Sequence, residues 1–132
     1  MSRIFQLGDL QYAIMRVLWM SHEASAAEVH EALYPERGLA PTTIATMLSK
    51  MEKKGVVAHR AEGRQYIYRA AVAEQDVRNS MVGELLDRVF QGDAKALVNH
   101  LLNERDIEAG ELEELKTLIE ERAREEGGHD DE

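Results

Sequence analysis

The stretch from Pro41 to Arg69, PTTIATMLSKMEKKGVVAHRAEGRQYIYR, constrains the fold more than any other part of the chain. At the helical period Ile44, Met47, Leu48 and Met51 fall on one side, while Thr42, Thr46, Ser49 and Lys53 fall on the other, flanked by Lys50. One side is core, and the other is small and cationic. Pro41 suits a first helical turn, where its missing N–H would lack a partner in any case, and Gly55 stands where a C-terminal cap belongs. The spacing predicts a helix from about Pro41 to Lys54. After it, Val56 to Arg60 and Gln65 to Arg69 have strand character, and Ala61-Glu62-Gly63-Arg64 between them reads as a glycine-containing hairpin loop. A helix followed at once by a basic hairpin is the recognition helix and wing of a winged helix.

Charge gives that segment a partner. Arg37, Lys50, Lys53, Lys54, Arg60, Arg64 and Arg69 stand against Glu52 and Glu62, a net +5 in a chain whose formal charge is −9. A cationic island on an acidic chain is an electrostatic footprint for phosphate. Thr42, Thr46 and Ser49 are short enough to let the helix backbone sit deep in a major groove, and their hydroxyls can bond base edges or phosphates. Lysines on a lone exposed helix are usually only solvated. The hairpin and the local charge reversal turn the reading towards double-stranded DNA. Residues 1–80 sum to +1 and residues 81–132 to −10, so the second part is repelled by nucleic acid and has another task.

Ahead of the recognition helix, Asp9 is placed to cap a helix from Leu10 to about Met20, with Leu10, Ile14, Val17 and Leu18 on one stripe. Trp19, the sole tryptophan, is expected to pack, against the C-terminal helices, and not to stack on a ligand. Ser21 to Ala24 reads as a turn, and Ser25-Ala26-Ala27-Glu28 has the form of a capping box. In the helix that follows, Val29 and Leu33 face inward, and Tyr34-Pro35-Glu36-Arg37-Gly38 ends it. The fold class is therefore mainly α with a small β-hairpin: a winged helix-turn-helix over residues 1–72 and a helical segment after it.

From about Ala73, Val77, Met81, Leu85 and Val89 recur every four residues, with Val82, Leu86 and Phe90 beside them. Gln91-Gly92-Asp93 breaks the pattern, with Asp93 placed as a cap. Leu97, Val98, Leu101 and Leu102 follow in a helix from Ala94 to Asn103, then Leu112, Leu115, Leu118, Ile119 and Ala123 in one from Glu111 to Glu126. This is more apolar surface than three helices bury against one another, so residues 73–126 read as a homodimerisation region. The alternative is that they fold back on the winged helix. The acidic tail, 127–132, is expected to be disordered.

Several classes fall away. With no cysteine there are no disulfides and no thiolate metal sites. No apolar run approaches membrane-spanning length and the first residues lack a signal-peptide core, so no membrane contact and a cytoplasmic location are expected. His22, His30, His59, His100 and His129 form no catalytic motif, and the carboxylates of the last helix read as a solvated face; neither catalysis nor a cofactor is expected. A metal site on His100 and His129 is weaker than the simpler reading of an acidic, soluble tail. The competing function is a winged helix that docks a protein through its third helix without reading DNA.

These residues together resemble the BlaI/MecI/CopY family of bacterial repressors, also called the penicillinase-repressor family. The resemblance runs from Leu7 to about Glu121 and rests on Ile14-Met15-Arg16-Val17-Leu18-Trp19, Thr43-Ile44-Ala45-Thr46-Met47-Leu48 with Lys53-Lys54-Gly55, Glu62-Gly63-Arg64 with Tyr66-Ile67-Tyr68, and Leu112-Glu113-Glu114-Leu115-Lys116. It implies a homodimer that binds a pseudo-palindromic operator and blocks transcription. Carried over by position, it puts Thr43 and Thr46 near bases, Lys50, Lys53 and Lys54 at the basic end of the helix and Arg64 at the wing tip. Thr42 and Ala45 depart from the residues common in the family, so the operator sequence is not transferable. Where β-lactam-responsive members are cut at an Asn-Phe bond, this chain has His100-Leu101, and it lacks the cysteine motif of copper-responsive members. The upstream sensor or protease stays unidentified.

Overall fold

The computed structural model describes residues 7–130, with side chains described through residue 127. The elements are α1 (Asp9–Ser21), β1 (Ala24–Ser25), α2 (Ala26–Arg37), α3 (Pro41–Lys54), β2 (Val57–Glu62), β3 (Gln65–Ala70), α4 (Glu74–Phe90), α5 (Ala94–Glu104) and α6 (Ala109–Asp130). They divide into two compact units, Met1–Leu85 and Leu86–Glu132.

In the first unit the sheet runs β1-β3-β2, antiparallel throughout. Ile14, Met15 and Leu18 of α1, Val29 of α2 and Ile44, Leu48 and Met51 of α3 are shut from solvent, and Val56 and Val57 close the core from the sheet side. Each such side chain stabilises the fold by about 1.5–3 kcal/mol through its burial. The apolar stripes read from sequence are the faces that meet, except that Met15 joins that of α1, on which Leu10 and Val17 are only partly covered.

The helix ends show how local chemistry sets the frame. Gly8, not Asp9, caps α1: Gln11 Oε1 reaches back to accept the Gly8 N–H at 3.4 Å, and Asp9 becomes the first helical residue, ion-paired to Arg37 at 3.2 Å. At α2 the capping box forms as expected, with Ser25 Oγ accepting from Glu28 N at 3.1 Å and the Glu28 carboxylate accepting from Ser25 N at 2.9 Å. Pro35 does not stop this helix. It removes one N–H from the last turn, and the chain continues to Arg37 before closing on Gly38 at φ +58°, whose N–H donates to the Tyr34 carbonyl at 2.8 Å. Pro41 and Gly55 bound α3 as expected.

Two expectations fail here for want of long-range information. The supposed turn before Ser25 contains a third strand, since Ala24 and Ser25 pair with Tyr68 and Ile67. Trp19 packs within its own unit, its ring edge-on to Tyr12 at 5.8 Å and its Nε1–H donating to the Val72 carbonyl at 3.0 Å.

The boundary between units falls inside α4, not near residue 72. Val77, assigned by its spacing to a dimer face, is wholly buried in the winged-helix core, and Met81 packs partly against that core. A partner copy cannot reach Val77. The apolar positions that follow are open: Val82, Leu85 and Val89 on α4, Val98, Leu101 and Leu102 on α5, and Leu112, Leu118 and Ile119 on α6 are all exposed. Leu97 and Leu115 are half-buried, and among the described residues none of α5 or α6 is buried. In the second unit Gln91 and Gly92 take positive φ to end α4, and Asp93 caps α5 by accepting from Ala96 N at 3.1 Å. His100 and Leu101 lie within α5, the His100 ring edge-on to Phe90 at 5.6 Å. Helix α6 continues past the expected end at Glu126, taking in residues 127–130 of the expected tail; residues 131 and 132 lie outside the described residues. Among the described residues no helix is long and apolar enough to cross a membrane.

Candidate nucleic-acid interface

Burial of Ile44, Leu48 and Met51 fixes the rotation of α3, and with it which residues look outward. Thr42, Thr43, Thr46, Ser49, Lys50, Lys53 and Lys54 are all exposed. Four short hydroxyl side chains and three lysines therefore stand on a helix whose opposite face is anchored in the core. Lys53 and Lys54 in the last turn also offset the negative end of the helix dipole. Gln11 of α1 bridges to the second half of α3, donating from Nε2 to Met47 Sδ at 3.3 Å and accepting from Lys54 Nζ at 3.2 Å.

The wing is tighter than its sequence suggests. Strand pairing continues to Glu62 opposite Gln65, so the loop is Gly63-Arg64 alone and Ala61 and Glu62 belong to the strand. Gly63 has φ +62°, which the first residue of a type II′ turn requires and which glycine adopts without strain. Arg64 is thereby set at the tip and exposed. Among the described residues Lys50, Lys53 and Arg64 have no ion-pair partner.

Two contacts hold the wing, and sequence reading found neither. On one side His59 Nδ1 lies 2.7 Å from the Glu52 carboxylate at the end of α3, and its ring stacks on Tyr66 at 4.0 Å. Tyr68 lies beside them; burial pushes its phenol pKa up, with the Glu52 charge acting in the same direction. On the other side Arg60, assigned to DNA from its charge within the cationic segment, is engaged by Glu23 at 3.0 Å and Glu62 at 2.8 Å. Its hydrogen bond holds the Glu23 carboxyl below the usual carboxylate range, and the two carboxylates raise the guanidinium still further above its already high value. Arg37 is likewise spent on Asp9. The seven cations of the segment are thus not equivalent, a distinction that a count of charges cannot make. Among the described residues no three His, Asp or Glu side chains are grouped to hold a metal; the His129 side chain lies outside those residues.

The same framework recurs in known proteins. The chain is 33% identical over 132 residues to the transcriptional regulator BlaI of Mycobacterium tuberculosis (strain CDC 1551 / Oshkosh), covering 98% of this chain and 91% of that protein. It is 30% identical over 121 residues to the penicillinase repressor of Bacillus licheniformis, covering 92% and 94%. The solution structure of monomeric Bacillus licheniformis BlaI in complex with the blaP half-operator matches with a TM-score of 0.50 at 34% identity, over 58% of this chain and 93% of that one. The family model for the penicillinase repressor matches residues 7–121, taking in both the winged helix and the helices after it, and the chain belongs to that family.

Proposed function

We propose that the chain is a DNA-binding transcriptional repressor that works as a homodimer on a pseudo-palindromic operator, and that it acts in the cytoplasm, where such DNA lies. The observation that carries this is the outward face of α3: small hydroxyls from its first turn to Ser49 and lysines at its C-terminal end, on a helix whose other face is locked in the core. Hydroxyls at Thr43 and Thr46 are suited to base edges, and Lys50, Lys53 and Arg64 to phosphates on either side. A relative solved with a half-operator supports DNA as the partner. Exposed apolar rows on α4, α5 and α6 support a second copy as their cover, which would set two recognition helices on one stretch of duplex. Repression then follows from occupancy, since a dimer seated over a promoter excludes polymerase.

The test is a selection: purified protein is mixed with sheared genomic DNA of its source at about 150 mM salt, where non-specific phosphate binding is weak, and bound fragments are sequenced. Inverted repeats upstream of a few genes support the reading. No enrichment over bulk DNA sinks it and favours the protein-docking alternative.

A further inference from the structure

Arg60 and its partners form a cluster that the phosphate-binding reading of the wing leaves unused. Glu23, in the connection between α1 and β1, accepts from Arg60 Nε at 3.0 Å and from Nη2 at 3.1 Å, so carboxylate and guanidinium meet through two parallel bonds. Arg60 Nη1 donates to Glu62 at 2.8 Å. Strand register explains the meeting. Ser25 and Arg60 lie opposite Ile67 from the two sides of β3, and side chains two residues apart share a face, which brings Glu23, Arg60 and Glu62 together. Arg60 thus spans the central strand and links the outer strand of the wing to the far edge of the sheet.

The cluster carries two negative charges and one positive. Arg69 also acts on Glu23 from nearby, but Arg60 itself is taken up by its two carboxylates and is not surplus. Its side chains are about half exposed, at 53%, 44% and 58% for Arg60, Glu23 and Glu62, so it adds little to global stability. What a bidentate pair supplies is a fixed angle.

We infer that Arg60 is a positioning residue, which holds the wing against the α1–β1 connection so that Arg64 at the tip meets the DNA backbone, and which touches no phosphate itself. The inference rests on the DNA-binding reading above. It differs from a direct contact in its salt dependence: breaking the clamp from either side loosens the same Arg64 phosphate contact, whereas a lost Arg60–phosphate contact flattens the slope in the Arg60 variant alone.

The experiment measures affinity of the full chain for a fragment recovered in the selection and for a scrambled duplex of equal length, across a salt series. Wild type, Arg60→Gln, Glu23→Gln and the double variant are compared, with melting curves confirming that each is folded. Both single variants are expected to bind the recovered fragment roughly two- to fivefold more weakly, with the same change in the slope of log affinity against log salt in each, and the double variant no weaker than Arg60→Gln. Glu23→Gln is the sharper of the two. Removing a carboxylate tightens DNA binding on charge alone, whereas loss of the clamp loosens it. Equal or tighter binding by Glu23→Gln, or a slope flattened by roughly 1 in Arg60→Gln and not in Glu23→Gln, overturns the inference while leaving DNA binding intact. A wild-type chain with no preference for the recovered fragment sinks the DNA-binding reading and this inference with it.

Discussion

Thr46 and Lys53 share an exposed helix face, yet their chemistry separates them. A hydroxyl at a base edge distinguishes sequences, while an ammonium at a phosphate attracts all of them alike. Thr46→Ala is therefore expected to narrow the gap between operator and scrambled DNA by about 1 kcal/mol, and Lys53→Ala to weaken both equally and flatten the salt slope by about 1. Competition binding on both duplexes checks this; equal losses on each from Thr46→Ala would remove Thr46 from base reading. Glu23 gives a proton-linked counterpart. Its carboxyl is held below its ordinary value of 4.5, chiefly by the Arg60 hydrogen bond, so the clamp is in full strength above that value and is lost as pH falls through the lowered one. A carbon-13 NMR titration should show the Glu23 midpoint rise towards its ordinary value in Arg60→Gln, and no movement would mean that the pair does not persist in solution.

Among the elements, those legible in the sequence are the ones specified by neighbours along the chain. Pro41, Gly55 and the spacing of Ile44, Leu48 and Met51 define α3 within one segment, and Ser25 with Glu28 defines the start of α2. Ser25→Ala should cost about 1 kcal/mol and lower the melting temperature of the winged helix by roughly 4–8 °C, measurable by circular dichroism. What escaped reading depends on distant partners. A two-residue strand exists only because β3 passes beside it, Val77 is core only because the winged helix packs on it, and the Glu52–His59 and Glu23–Arg60 pairs are made by the fold and not by spacing. The same holds for the site: the hydroxyl and lysine face of α3 could be read directly, but which arginines are committed to carboxylates could not.

For the molecule as a whole, the open rows on α4 to α6 make association the natural route to covering them. Leu118 and Ile119 are 61% and 62% exposed, so replacing both with glutamate leaves the monomer's packing untouched and puts charge where a partner copy would sit. Sedimentation equilibrium should then report half the native mass, and operator affinity should fall by at least tenfold as the two half-sites are read separately. A native chain that sediments as a monomer would refute the dimer. Trp19 offers a way to watch the parts independently. It lies in the first unit, as do Tyr12, Tyr34, Tyr66 and Tyr68, and no tryptophan or tyrosine follows Tyr68. Indole fluorescence and the tryptophan and tyrosine bands of near-ultraviolet dichroism are therefore blind to the second unit, whose one aromatic ring outside histidine is Phe90, whereas far-ultraviolet dichroism sums the helices of both. Melting curves that separate between these signals would show the helices of the second unit unfolding on their own, and curves that superimpose would show one cooperative transition.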